Sequence, residues 1–148
     1  MGRDAGWTHA AALEKAHQKR WLEGICPPAE YAYFRRGFVS SITIEAEALI
    51  QHADALFARV PIEDVKISST TDHNQRIKLS NLAVLDGLRG LDLGGSNYDQ
   101  RGLKCLLQRR AFVSLEELSL SSCHLDDKDI QLLTRASSLP RLRELSLN

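Results

Sequence analysis

The stretch LEELSLSSCHL, residues 115–125, decides the fold of this chain. It matches the pattern L-x-x-L-x-L-x-x-N/C-x-L at every specified position, with Cys123 in the N/C position. The central L-x-L is typical of a short strand, because alternate side chains of a strand point to the same face. At the N/C position, a small polar side chain can bond to backbone groups that the turn leaves unpaired. The stretch therefore predicts a strand followed by a tight turn.

This pattern recurs along the chain at a constant interval. One period earlier, LRGLDLGGSNY (88–98) has leucines at the matching positions, with Ser96 and Tyr98 filling the last two. One period later, a further copy begins with Leu142, Leu145 and Leu147. The central leucines are separated by 118 − 91 = 27 and 145 − 118 = 27 residues. This spacing indicates leucine-rich repeats stacked in a solenoid, because one repeat cannot bury its own apolar face.

The segments between the strands are predicted to return as helices. Asp126 can cap a helix through DDKDIQLLTRA, and Leu103, Leu106 and Leu107 form a similar apolar stripe in the preceding repeat. The fold class is therefore α/β: a leucine-rich-repeat solenoid with a parallel inner sheet, outer helices and an N-terminal helical cap.

Upstream of residue 88 the pattern is degenerate. Val65 and Ile67 fit a strand, and Ile42 and Ile44 an earlier one, with an amphipathic helix in EAEALIQHADALFAR between them. The run STTDHNQ predicts a loop, followed by a short helix. A further helix is predicted within the first 24 residues, from Thr8 to Gly24. We therefore expect residues 1–59 to form the cap with the first strand and helix. We expect residues 60–148 to form the repeats, with the last repeat incomplete because the sequence stops at Asn148.

The composition argues against several classes of protein. The 148 residues include 19 basic and 19 acidic side chains, so the neutral charge favours neither nucleic acid nor an anionic membrane as a partner. Cys26, Cys105 and Cys123 are an odd, widely spaced set, which favours a reducing compartment. With no apolar run of membrane-spanning length, the sequence predicts a cytoplasmic protein without a membrane partner.

No residue is predicted to be catalytic, to bind a cofactor or to ligate a metal, and we expect no enzyme activity and no small-molecule substrate. The pair Cys123-His124 lacks the further ligands of a zinc site, and the repeat pattern already accounts for Cys123. The glycines of LDLGGSN lack the Lys and Ser/Thr of a phosphate-binding loop.

The outward-facing strand positions are the candidate binding residues. If Leu118 and Leu120 face the core, their neighbours face outward on the concave surface of the sheet. The candidates are Asp64, Lys66, Asp92, Glu117, Ser119, Ser121, Glu144 and Ser146. These small and acidic side chains suit a protein partner with basic or hydrogen-bond-donating groups, although the predicted face holds no aromatic residue. The opposing interpretation is that they are solvated strand positions.

A family resemblance rests on FRRGFV (34–39), followed by a strand, an amphipathic helix and a second strand. This arrangement resembles bacterial leucine-rich-repeat proteins that carry a repeat-companion domain, and Trp21-Leu22 before two prolines is similar to the family's lead-in. The resemblance covers most of residues 20–148. It implies ribonuclease-inhibitor-like repeats that act as a protein-interaction scaffold, with no catalytic residue to carry over.

Two alternatives remain open from the sequence. The doublets Arg35-Arg36 and Arg109-Arg110 could contact nucleic-acid phosphates, although two doublets in a neutral chain are more typical of solvated loops and helix ends. The chain could also be a regulatory fragment of a larger enzyme.

Overall fold

The chain is a mixed α/β protein built on one six-stranded sheet whose strands lie in sequence order. The computed structural model describes residues 12–13, 16–17, 20, 29–70, 72–96, 98, 100–108 and 112–147. The first two strands are antiparallel, and every later strand is parallel to the one before it. The sheet is thus mostly parallel, as the α/β prediction requires.

Helical segments alternate with the parallel strands. The strands are β1 (Ala29–Arg35), β2 (Phe38–Ile44), β3 (Asp64–Ile67), β4 (Gly90–Asp92), β5 (Glu117–Ser119) and β6 (Glu144–Ser146). The helices are α1 (Ala46–Arg59), α2 (His73–Ser80), α3 (Gln100–Leu107) and α4 (Asp127–Arg135), with a 3₁₀ helix at Ala83–Gly87. Neighbouring α-helices contact one another in the order α1, α2, α3, α4, so they form a second layer beside the sheet.

A row of aliphatic side chains runs across the sheet and forms the centre of the core. Val65 pairs with Leu91, and Leu91 with Leu118, and all three are buried. Burial of such a side chain contributes about 1.5–3 kcal/mol relative to its exposure. Leu145 continues the row in β6 but is 39% exposed, because β6 has a described strand on one side only.

The turns after β4 and β5 each supply one side chain that donates a hydrogen bond to the same backbone carbonyl. The Cys123 thiol donates to the carbonyl oxygen of Leu93 at 3.3 Å, and the Ser96 hydroxyl donates to that same carbonyl. The expected role of the N/C position, a polar side chain bonded to backbone, is confirmed at both residues. Tyr98, in the position of the last leucine, is fully buried and its hydroxyl donates to the carbonyl of Arg76.

The hairpin of β1 and β2 differs from the sequence prediction, which had no strand before Ile42. Its turn is made by Arg36 at φ 54° and Gly37 at φ 85°, left-handed values that glycine adopts without strain. Ala32 and Val39 face the core from the two strands. Strand β1 therefore pairs with the outer edge of β2, which is the first of the parallel strands. Helix α1, which follows β2, was predicted correctly.

The predicted helices that follow are confirmed, with one change of boundary. Asp126 accepts hydrogen bonds from the backbone N–H groups of Lys128 and Asp129, and the Asp129 carboxylate accepts from the N–H of Asp126. The prediction of a loop through STTDHNQ is wrong at its end, because Asp72 caps α2 through the N–H of Gln75 and the helix begins at His73. A capping aspartate outweighs the polar composition of this run.

The N-terminal prediction lies largely outside the described residues. Of the predicted helix from Thr8 to Gly24, residues 12–13, 16–17 and 20 are described, and they are helical. The division at residue 59 stays a prediction. None of the helices in the described ranges is long and apolar enough to cross a membrane.

The capping box of α4 gives a direct test of this local structure. Asp126→Ala removes the acceptor of two backbone N–H groups and should lower the free energy of unfolding by about 0.5–2 kcal/mol. Urea unfolding followed by circular dichroism measures it. Asp127→Ala, at an exposed neighbouring position, is the control. Equal effects of the two substitutions would contradict the capping role.

Candidate functional site

The face of the sheet opposite the helices forms an open groove of about 490 Å³. Its floor consists of two rows of side chains that cross all six strands, because neighbouring strands pair these residues with one another. One row is Tyr33, Ser41, Asp64, Gly90, Glu117 and Glu144. The other row is Tyr31, Thr43, Lys66, Asp92, Ser119 and Ser146. We call them the acidic row and the mixed row.

Seven of the eight sequence-predicted binding residues line this groove. The exception is Ser121, which follows β5 and whose hydroxyl lies 3.4 Å from that of Ser119. The strand positions were predictable because L-x-L fixes which side chains face away from the core.

Two tyrosines that sequence analysis missed close one end of the groove. Tyr31 and Tyr33 lie on β1 and are 62% and 64% exposed. The predicted lack of aromatic side chains on this face is therefore wrong, since the prediction contained no strand before Ile42. The alternation Tyr31-Ala32-Tyr33 was the available signal, because Ala32 is buried and the tyrosines point the other way.

The acidic row carries three carboxylates, from Asp64, Glu117 and Glu144. None of them forms an ion pair with another residue in the described part of the chain. Asp64 and Glu117 lie on either side of Gly90, where a Cβ atom would stand 2.4 Å from Asp64 Oδ1. The missing side chain thus leaves room for the Asp64 carboxylate to lie over the backbone of β4.

The environment of Asp64 disfavours its charged form. Desolvation by burial, and then repulsion from Glu63, raise the pKa of Asp64 above its ordinary value, while Arg89 and Arg35 lower it in part. An ionised Asp64 therefore costs stability in the free protein. A cation brought to the groove would lower this pKa again.

The mixed row is internally paired. Lys66 Nζ lies 3.5 Å from Asp92 Oδ2, and Asp92 Oδ1 accepts a 2.8 Å hydrogen bond from the N–H of Gly94. Asp92 is thus held in place by its own strand and the turn after it. Lys66 is the one basic side chain of the two rows. It forms its ion pair with Asp92 and not with a carboxylate of the acidic row.

A ladder of alternating charges follows the same edge of the sheet. Glu63, Arg89 and Glu116 directly precede β3, β4 and β5, and Arg35 is the last residue of β1. Glu63 pairs with Arg35 at 3.8 Å and with Arg89 at 3.6 Å, and Arg89 pairs with Glu116 at 3.1 Å. The hydrogen bond from Arg89 lowers the pKa of Glu116, and the same bond raises the pKa of Arg89. The ladder pairs both arginines that flank the groove with Glu63 and Glu116, so these arginines act on Asp64 only at longer range and form no ion pair with the acidic row.

The remaining candidates from the sequence do not join this groove. Desolvation raises the pKa of the Cys123 thiol, which disfavours the reactive thiolate. Cys105 is half-buried on α3, and Cys26, Arg109 and Arg110 lie outside the described residues. Arg35 and Arg36 are exposed at the hairpin turn. No group of three His, Cys, Asp or Glu side chains within the described ranges could hold a metal ion.

Comparison with protein-family models, with curated proteins and with solved structures found no match to this chain.

The raised pKa of Asp64 predicts a stability gain from its neutralisation. The folded state holds the Asp64 proton more tightly than the unfolded state does, so stability is lost as pH rises through the folded pKa. Asp64→Asn should therefore be more stable than the wild type at pH 7, and this advantage should shrink as pH falls to 3. Thermal unfolding across that pH range measures it. An advantage that is constant with pH, or that grows on acidification, would contradict the argument.

Proposed function

We propose that this chain is a leucine-rich-repeat solenoid that acts as a non-catalytic scaffold and binds a basic segment of a protein partner in its sheet groove. The observation that carries the proposal is the acidic row. Three carboxylates that form no ion pair within the described residues lie in one row of a groove, and desolvation by burial raises the pKa of one of them, Asp64. Such an arrangement is typical of a binding surface, where stability is lower than it could be.

The repeat assignment is supported by the spacing of the paired strands. Val65, Leu91, Leu118 and Leu145 occupy matching positions in consecutive parallel strands, at intervals of 91 − 65 = 26, 118 − 91 = 27 and 145 − 118 = 27 residues. A helical segment returns the chain after each interval. Stacked units of one strand and one return segment are the construction principle of such solenoids, whose curved faces are common binding surfaces. The resemblance of FRRGFV to the repeat-companion family agrees with this assignment.

The chemistry of the groove favours lysine and arginine side chains in the partner. The carboxylates accept charge-assisted hydrogen bonds from ammonium and guanidinium groups. Tyr31 and Tyr33 offer aromatic faces that attract the same cations and bury the aliphatic part of their side chains. Because one end of the groove is aromatic and the other acidic, a segment several residues long is needed to contact both.

The choice of binding rather than catalysis rests on the groove's own side chains. Its described lining contains carboxylates, hydroxyls, tyrosines and one lysine, with neither histidine nor cysteine. Lys66 is paired with Asp92, which holds it away from the acidic row. The groove thus attracts cations along its length, and its described lining does not place a nucleophile beside a base, as covalent catalysis requires.

The partner chemistry can be tested with a fluorescein-labelled peptide of alternating lysine and glycine, using fluorescence anisotropy at low salt. Glu117→Lys should weaken binding by at least about tenfold, because it replaces an attraction with a repulsion. Asp54→Lys makes the same change in net charge on exposed α1 and should alter affinity less than about twofold. Equal loss in both variants would mean that only net charge matters and would contradict groove binding.

The aromatic end has its own test with the same peptide. Tyr33→Ala should weaken binding by roughly two- to fivefold, the worth of one cation–aromatic contact at an exposed site, whereas Tyr33→Phe should retain most of the affinity. Unchanged affinity in Tyr33→Ala would exclude the hairpin from the binding surface.

A further inference from the structure

A second groove lies on the helical layer, between α3 and α4, on the opposite side of the molecule from the acidic row. Its volume is about 410 Å³. It is lined by Gln100, Arg101, Lys104, Lys128, Gln131, Leu132 and Arg135. We call it the basic groove. Its described lining contains four cationic side chains and no carboxylate, in a chain whose formal net charge is zero.

The four cations of the basic groove are open to solvent and to a ligand. Arg101, Lys104, Lys128 and Arg135 are exposed, and none of the four forms an ion pair with any residue in the described ranges. Surface lysines and arginines usually have carboxylates interspersed among them. The described lining of the basic groove has none, although Asp126, Asp127 and Asp129 lie at the start of α4. Four cations with no carboxylate among the described lining side chains give the groove a local positive potential that attracts an anion.

The helical spacing explains how these residues meet. On α4, Lys128, Gln131, Leu132 and Arg135 follow the i, i+3, i+4, i+7 spacing that places side chains on one face of a helix. On α3, Arg101 and Lys104 are three residues apart and share a face in the same way. The two faces line a common groove because α3 and α4 are adjacent. Lys128 and Arg135 stand roughly 10 Å apart along the helix axis, at 1.5 Å per residue.

We propose that the basic groove binds an acidic peptide segment of a protein partner. Arginine and lysine can bind carboxylates through charge-assisted hydrogen bonds, and arginine can do so with two parallel bonds. Gln100 and Gln131 can each donate to and accept from a peptide backbone. A single-stranded nucleic acid fits less well, since the groove offers no aromatic ring in its described lining on which bases could stack.

This proposal is independent of the sheet groove. The two grooves lie on opposite faces and share no lining residue. A chain that has both could hold a basic and an acidic segment at once, as a bridging scaffold would.

The test uses fluorescein-labelled octaglutamate and fluorescence anisotropy at low salt. The double variant Lys104→Glu/Lys128→Glu should weaken binding by at least about tenfold, since each change replaces an attraction with a repulsion. Arg59→Glu/Lys78→Glu is the matched control, because it changes net charge equally at exposed positions of α1 and α2. It should weaken binding less than about threefold, and circular dichroism verifies that both variants are folded.

Three results would overturn the proposal. The first is an equal loss of octaglutamate binding in the control variant, which would reduce the effect to net charge. The second is tighter binding of an oligothymidylate of equal charge, which would make the groove a nucleic-acid site. The third is salt-sensitive self-association of the wild-type chain that the Lys104→Glu/Lys128→Glu variant abolishes, because the occupant would then be the acidic row of a second copy.

Discussion

The parallel strands lie side by side with the same position of each strand aligned, and the rest of the structure depends on this shared register. Val65, Leu91 and Leu118 form the buried row that holds it. A shift of one residue in any strand reverses which side chains face the core. Such a shift would expose Leu118 and bury the carboxylate of Glu117, at a cost of several kcal/mol for the desolvated charge. The aliphatic row therefore also decides where the polar residues lie.

Three layers of charge follow from this register. The residues directly before β3, β4 and β5, together with Arg35 at the end of β1, form the alternating ladder in which opposite charges meet. The first residues of β3, β5 and β6 supply the carboxylates of the acidic row, in which opposite charges do not pair. The helices that return the chain add the basic groove on the other side. The sheet face thus carries the acidic row and the helical layer carries the basic groove, and each proposal rests on one of these two local surfaces.

Much of the fold was predictable from periodicity, because L-x-L fixes strand and outward positions together and Asp126 marks the start of α4. The hairpin was not, since β1 lies outside the repeat pattern and its register is interrupted by bulges, which weakens the alternation. The tyrosines of the site were therefore missed. The basic groove was also missed because Lys104 and Lys128 are 128 − 104 = 24 residues apart, and a search for basic runs finds only doublets.

The register itself can be measured by NMR through scalar couplings across backbone hydrogen bonds. The amide of Leu93 should couple to the carbonyl of Ser119, and the amide of Leu120 to the carbonyl of Ser146, because these groups are 2.8 Å apart in both pairs. These couplings would place Glu117 beside Glu144 in the acidic row. Coupling of the Leu93 amide to the carbonyl of Leu118 or Leu120 would instead show a register displaced by one residue, and it would contradict the account of both faces.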